Sequence, residues 1–378
     1  MDEALALAAE RAAGMVLAQG RLEEARARRS RAGRRFQESP ALEVNGGYRR
    51  AEDGFFDFEA AVTQDLYSSR QRAARLAGTQ AAVDRAEAEV AEARRRLLRE
   101  VWTTFSRALE AGGRAGFLER SRQAADELLS TTERRYEAGE ATALELNRAR
   151  VAAARARAEQ GAAEAEGDTD LAELKALLGL GPEETVEIRG SLAPQSTATL
   201  ESLLAGLVRR PDLLALAAEL REAEAEVLLG DALARPDLGV RGGIAREEGA
   251  EIVTAGIVVT LPFHQRGREA IDVGKARVSA LRQALETARR AADAEVRGRY
   301  AALSRQLAAV RELESTALPA LDDNESLALK SFEAGEIDLG ELLLIRREIL
   351  EIRLAYLERL LDASLTRFEL EAAAGALP

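Results

Sequence analysis

Apolar and polar positions alternate convincingly in two places along this chain, and each place opens on a proline. Pro40 starts PALEVNGGYRR, where Leu42, Val44 and Tyr48 share one side and Glu43, Asn45 and Arg49 the other. After AEDG, Phe56, Phe58, Ala60 and Val62 alternate with Asp57, Glu59 and Thr63. Pro236 starts PDLGVRGGIAR, which leads through REEGAE into IVTAGIVVTL. A period of two predicts strands, so residues 40–67 and 236–263 each predict a hairpin. Each strand is roughly ten residues long, the length a tilted strand needs to cross a bilayer.

Elsewhere the spacing is helical. No proline lies between Pro40 and Pro182, and the pattern from Ser68 to about Glu133 predicts one helix of some 65 residues. At 1.5 Å per residue that is about 100 Å, more than a globular core needs, so a long coiled assembly is implied. Gly112, Gly113 and Gly116 predict a bend in it. Pro319 predicts a break in the corresponding helix further on, because proline has no N–H to donate. Leu342, Ile345, Ile349, Ile352 and Tyr356 follow the three-four spacing of a coiled-coil seam. Leu350, Leu354, Leu357, Leu361 and Phe368 trace a second seam. Two seams suit a helix with a neighbour on each side, as in a ring; a broad face in a compact bundle is the alternative.

One phrase recurs. YEAGEATALEL runs from Tyr136 to Leu146, and FEAGEIDLGEL returns 196 residues later, from Phe332 to Leu342. The same offset carries Pro40 to Pro236, Gly46 and Gly47 to Gly242 and Gly243, Tyr67 to Phe263, and Gly179 to Gly375. The chain therefore reads as two structural repeats, 1–196 and 197–378, each a helix, a β-hairpin and a long helical hairpin. The helical hairpins would turn near 136–142 and 332–338. Gly139 and Gly335 suit a helix C-terminus, where positive φ favours glycine. Thr142 and Asp338 can cap the next helix, with Glu145 and Glu341 placed as in a capping box. In the fourth strand two criteria conflict. The offset sets Ile252, Thr254 and Gly256 on the Phe56 side, whereas apolarity selects Val253, Ala255, Ile257, Val259 and Leu261. A one-residue shift or a bulge would each explain this.

Composition narrows the function. Ala, Glu, Arg and Leu dominate, as in long helices. The net charge of −12 argues against nucleic acid as partner. The chain has no cysteine, two methionines and one histidine, His264, so a soft-metal site is not expected. No phosphate loop, Ser-His-Asp set or HExxH motif appears; no catalytic residue, cofactor or metal site is nominated, and an enzyme is not expected. The basic run Arg26–Arg35 reads as a solvated helix face. No stretch is apolar enough for a membrane helix. No signal peptide is visible, since Met1 leads into an amphipathic DEALALAAERAA. Four strands cannot close a barrel and leave two open edges, which lipid does not tolerate. If they enter a membrane the chain must oligomerise, and three copies supply twelve strands. A soluble coiled-coil scaffold is the rival reading.

The halves, the hairpins, the strand exits TQDLYSSRQ and TLPFHQRGR, and the tips YEAGEATALELNRAR and FEAGEIDLGELLLIRRE together resemble the TolC-type outer-membrane efflux proteins over nearly the whole length. The segment from ALPAL, starting at Ala317, through FEAGEIDLGELL most resembles their CzcC- and CusC-like cation efflux branch. The resemblance implies a mainly α fold with a membrane portion. Four strands per protomer would build a trimeric 12-stranded β-barrel, continued by a periplasmic α-barrel of coiled-coil hairpins. It implies a homotrimeric, passive exit channel in the outer membrane, reaching into the periplasm. That channel would join a periplasmic membrane-fusion adaptor and an inner-membrane efflux pump, exporting metal cations or drugs. Carried over by position, Tyr136, Gly139, Thr142, Phe332, Gly335 and Asp338 would contact the adaptor. Glu341 would constrict the pore, while the next acidic position of the family falls on Leu344. Some members carry Val-Gly-Leu at the tip where this chain has Ala138-Gly139-Glu140. Phe56, Phe58, Val62, Ile257 and Val259 would face lipid.

Overall fold

The computed structural model describes residues 12–34, 39–49, 55–181, 183–193, 198–247, 250–261 and 268–377. Helix α1 spans Ala13–Ala32, strands β1 and β2 span Ala41–Arg49 and Phe55–Leu66, and helices α2 and α3 span Ser69–Glu137 and Ala143–Leu178. A short α4, Leu200–Gly206, precedes α5, Pro211–Leu233. Strands β3 and β4 span Asp237–Glu247 and Ala250–Thr260. Helices α6, α7 and α8 span Arg268–Glu312, Leu318–Glu333 and Leu339–Ala373. Both predicted hairpins form. The AEDG turn, the segment 262–267 with His264, and the N-terminal residues through 11 lie outside the described residues.

The chain divides into two compact units. One takes residues 16–93 and 211–290; the other takes residues 1–15, 94–210 and 291–378. Each draws on both sides of the middle of the chain, so compactness cuts across the recurrence seen in sequence.

The unit of residues 16–93 and 211–290 holds the sheet. Its order is β1-β2-β3-β4 and every pairing is antiparallel. The helical part of this unit is tied by exposed ion pairs: Arg26 to Glu87 at 3.2 Å, Arg221 to Asp84 at 3.0 Å, and Arg277 to Glu226 at 2.9 Å. Arg26 and Arg28 also pair with Glu23 and Glu24 of their own helix, so the start of the basic run is a charge-matched surface.

The other unit is helical. Its main core gathers Leu203, Val296, Leu303, Val310, Leu360 and Leu370. Trp102 of α2 stacks on Phe368 of α8 with ring centroids 4.7 Å apart. Helix α2 runs unbroken for 69 residues, through all three glycines. Gly113 admits a neighbour, for a Cβ there would lie 3.0 Å from Leu357 Cδ2. One helix expectation needs correction: Pro319 does not break its helix. Leu313–Ala317 forms a π turn in which Leu318 N–H donates to Leu313 C=O, and α7 follows directly with Pro319 in its first turn. The wider turn absorbs the missing proline donor with the backbone still right-handed helical on both sides.

Candidate functional site: the sheet faces and the hairpin tips

Register decides which side chains share a face. Leu42 pairs with Val62 and Tyr48 with Phe56. Val62 pairs with Gly242 and Ala60 with Ile244. Leu238 pairs with Val259, Val240 with Ile257 and Ile244 with Val253. One face of all four strands is therefore largely apolar, and it includes Phe56, Phe58, Val62, Ile257 and Val259 together, with Gln64, Arg246 and Glu251 toward the strand ends. It is open, with Val253 83% and Ile257 74% exposed. The opposite face carries Glu43, Asn45, Asp57, Glu59, Thr63, Asp65, Arg241 and Thr254.

The conflict over strand four resolves as a shift. A uniform offset would pair Leu238 with Val258, but its partner is Val259. The pairing of β3 with β4 runs without interruption from Asp237 to Glu247, so no bulge lies within it. The second hairpin has one more residue than the first between matched positions, and that residue flips strand four to its apolar parity.

The tips lie in the helical unit, and both turn alike. At Gly139, φ is 76°, and at Gly335 it is 74°. Gly139 N–H donates to Tyr136 C=O at 3.0 Å and Glu140 N–H to Arg135 C=O at 2.8 Å. Gly335 and Glu336 repeat this with Phe332 and Ser331, at 3.1 and 2.8 Å. The pattern is a Schellman motif, which satisfies the last carbonyls of a helix and needs the left-handed region. Tyr136, Gly139, Thr142, Gly335 and Asp338 are exposed. Phe332 is half-buried against Leu128, Ala149, Ala328, Leu339 and Leu342, a cluster that ties the two helical hairpins together.

The caps differ. Thr142 Oγ1 accepts from Glu145 N–H at 3.2 Å, and Glu145 Oε2 accepts from Thr142 N–H at 2.6 Å and from its hydroxyl at 2.8 Å. The donation from Thr142 N–H, with that of the hydroxyl, holds the Glu145 carboxyl below the usual range. Asp338 Oδ1 accepts from Glu341 N–H at 2.9 Å, and the box stops there. Glu341 is thus not spent as a cap: its carboxylate is exposed, one turn before an exposed Leu344.

Helix α8 uses both its seams. Leu342 and Ile349 are buried, and Tyr356 at the end of that seam donates to Glu314 Oε1 at 2.7 Å. Burial and that carboxylate push the Tyr356 hydroxyl up to about 12. On the second seam Leu357 meets Gly113 and Phe368 meets Trp102. Sequence reasoning missed three features: the π turn, the Tyr356–Glu314 bond and the pairing of Arg241 with two glutamates. Only Pro319 gave a local signal.

Among the described residues no group of three or more His, Cys, Asp or Glu is placed to hold a metal, and no helix is long and apolar enough to cross a membrane.

A sheet with one apolar face and two open edges, joined to long paired helices, defines a membrane-barrel protein of the channel type. The family model of the outer membrane efflux proteins matches residues 5–180 and 205–376, and the chain belongs to that family. In fold it is similar to the VceC outer membrane protein of Vibrio cholerae, at 16% identity and TM-score 0.82, over 99% of this chain and 95% of that one. It is also similar to the CmeC outer membrane channel of Campylobacter jejuni, at 15% identity and TM-score 0.80, over 99% of this chain and 85% of that one. CusC, at 17% identity and TM-score 0.78, covers 100% of this chain with 92% of its own length. These are likenesses of fold, and they do not separate one branch of the family from another. Among curated proteins no sequence matches the chain.

Proposed function

We propose that three copies of this chain form a passive exit duct through the outer membrane. The observation that carries this reading is the sheet. Its apolar face needs lipid, its polar face needs water, and its edges β1 and β4 run antiparallel, so each copy can pair edge to edge with the next. Two copies would give eight strands, a barrel whose interior side chains fill; three give twelve and leave a lumen. Phe56, Phe58, Val62, Ile257 and Val259 then face lipid. The helical hairpins continue the duct into the periplasm, built from two repeats, 1–196 and 197–378. Tyr136, Gly139, Thr142, Phe332, Gly335 and Asp338 present the tips to a periplasmic adaptor, which links the duct to an inner-membrane pump. Glu341 contributes one carboxylate per copy to a ring at the entrance, and converging carboxylates attract cations. The family branch is that of cation exporters, a reading supported by this ring and by Asp57, Glu59 and Asp65 on the polar face.

The absence of native cysteine makes a clean test. Glu43→Cys on β1 is combined in turn with a cysteine at 252, 254, 256 or 258 on β4, in outer membranes. One register should yield a covalent ladder ending at three chains. A ladder ending at two, or none in any register, overturns the trimer.

A further inference from the structure

Arg241 lies across three strands of the sheet. Its Nη2 is 3.1 Å from Glu59 Oε1 of β2 and 3.3 Å from Glu43 Oε2 of β1. The register explains the reach. Arg241 sits opposite Thr63, the next row on that face is Glu43, Ala61 and Gly243, and the row beyond holds Glu59. The guanidinium therefore crosses the intervening row, where Ala61 is 1% exposed. That row has no room for bulk: a Cβ at Gly243 would lie 2.8 Å from Ala60 O and 3.0 Å from Ala61 Cβ.

All three charged side chains are more than a third exposed. Ion pairs this open contribute little to stability, so holding the sheet together does not account for them. Charge does. On the polar face Arg241 is a cation set against Glu43, Asp57, Glu59, Asp65, Asp237 and Glu247.

We propose that Arg241 sets the charge selectivity of the barrel lumen, acting as a fixed counter-charge that moderates a cation-selective wall. The inference rests on the trimeric duct. It is separate from the entrance ring of Glu341, since it concerns another part of the chain. Three copies place three such triads at one height. A twelve-stranded barrel has a backbone radius of about 12 Å. The Debye length is about 3 Å at 1 M salt and about 30 Å at 10 mM. The wall charge thus reaches the axis in dilute salt and is hidden in concentrated salt.

The test is the reversal potential of the purified full chain in planar bilayers across a KCl gradient near 10 mM, repeated near 1 M. The wild-type duct should prefer potassium over chloride in dilute salt. R241Q should raise that preference about twofold, R241K should leave it near wild type, and all differences should vanish in concentrated salt. E43Q/E59Q, which keeps Arg241 and removes its partners, should lower the preference. If R241Q fails to assemble, E43Q/E59Q and R241K decide the matter alone. Conducting trimers whose reversal potential is the same in every variant overturn this inference and leave the duct standing. A wild-type chain that forms no trimer overturns the duct and this inference with it.

Discussion

The two hairpin tips share a backbone turn and differ in how the following helix is capped. Both end a helix on a left-handed glycine, and both start the next on an oxygen that accepts from the third amide of the helix. At the first tip the cap is Thr142, whose hydroxyl also donates a proton to Glu145. At the second it is Asp338, whose carboxylate accepts from Glu341 N–H while the Glu341 side chain makes no return bond to the Asp338 backbone. The box therefore closes at one tip and stays half open at the other. Glu145 is thus held in its cap, while the exposed Glu341 side chain is left outside its own.

The comparison can be broken in several ways. The harshest works on the sheet: Ile257→Asp with Val259→Asp places charge on the apolar face, at a cost of the order of 2 kcal/mol per site in lipid. The trimer should disappear from the outer-membrane fraction, and unaffected insertion would remove strand four from the lipid boundary. Next come the glycines. Nothing lies within 4 Å of a Cβ at Gly139 or Gly335. Each glycine→Ala change should then cost only the left-handed conformation, about 1 kcal/mol at either tip. Unequal shifts in thermal unfolding would show that the tips are not backbone equivalents.

Smaller effects separate the glutamates. Glu145 is held below its ordinary value, so its carboxylate form stabilises the folded tip. That contribution is present at neutral pH and is lost as pH falls through and below 4.5. E145Q should therefore speed amide exchange at the first tip at pH 7 and flatten its acid dependence, while E341Q leaves both tips unchanged. The converse concerns conduction: Glu341→Ala should lower cation selectivity in bilayers, and E145Q should not. If both glutamates behave alike in both assays, the distinction drawn from the caps is wrong.

Much of this was legible in the sequence because it depends on local rules. Period-two alternation located all four strands, and glycine followed by a capping residue located both tips. What was not legible depends on choices that local rules leave equal. A proline inside a helix can break it or be absorbed by a π turn, and Pro319 is absorbed. A capping box closes only if the third helical side chain accepts from the backbone N–H of the cap residue, which Glu145 does and Glu341 does not, so the three-residue spacing alone overstated Glu341 as a cap. Strand parity depends on the length of the connecting turn, and one extra residue overrode an offset that holds elsewhere. The cross-strand seat of Arg241 depends on three separate strands and on the small residue beneath it.

The central claim is that this chain works only as three. The most direct measurement is the native mass of the detergent-extracted protein from outer membranes, with the detergent contribution subtracted. The account predicts three copies of the 40.8 kDa chain, about 122 kDa. A protein mass of one or two copies in the membrane extract, or a chain that stays soluble without detergent, would contradict it.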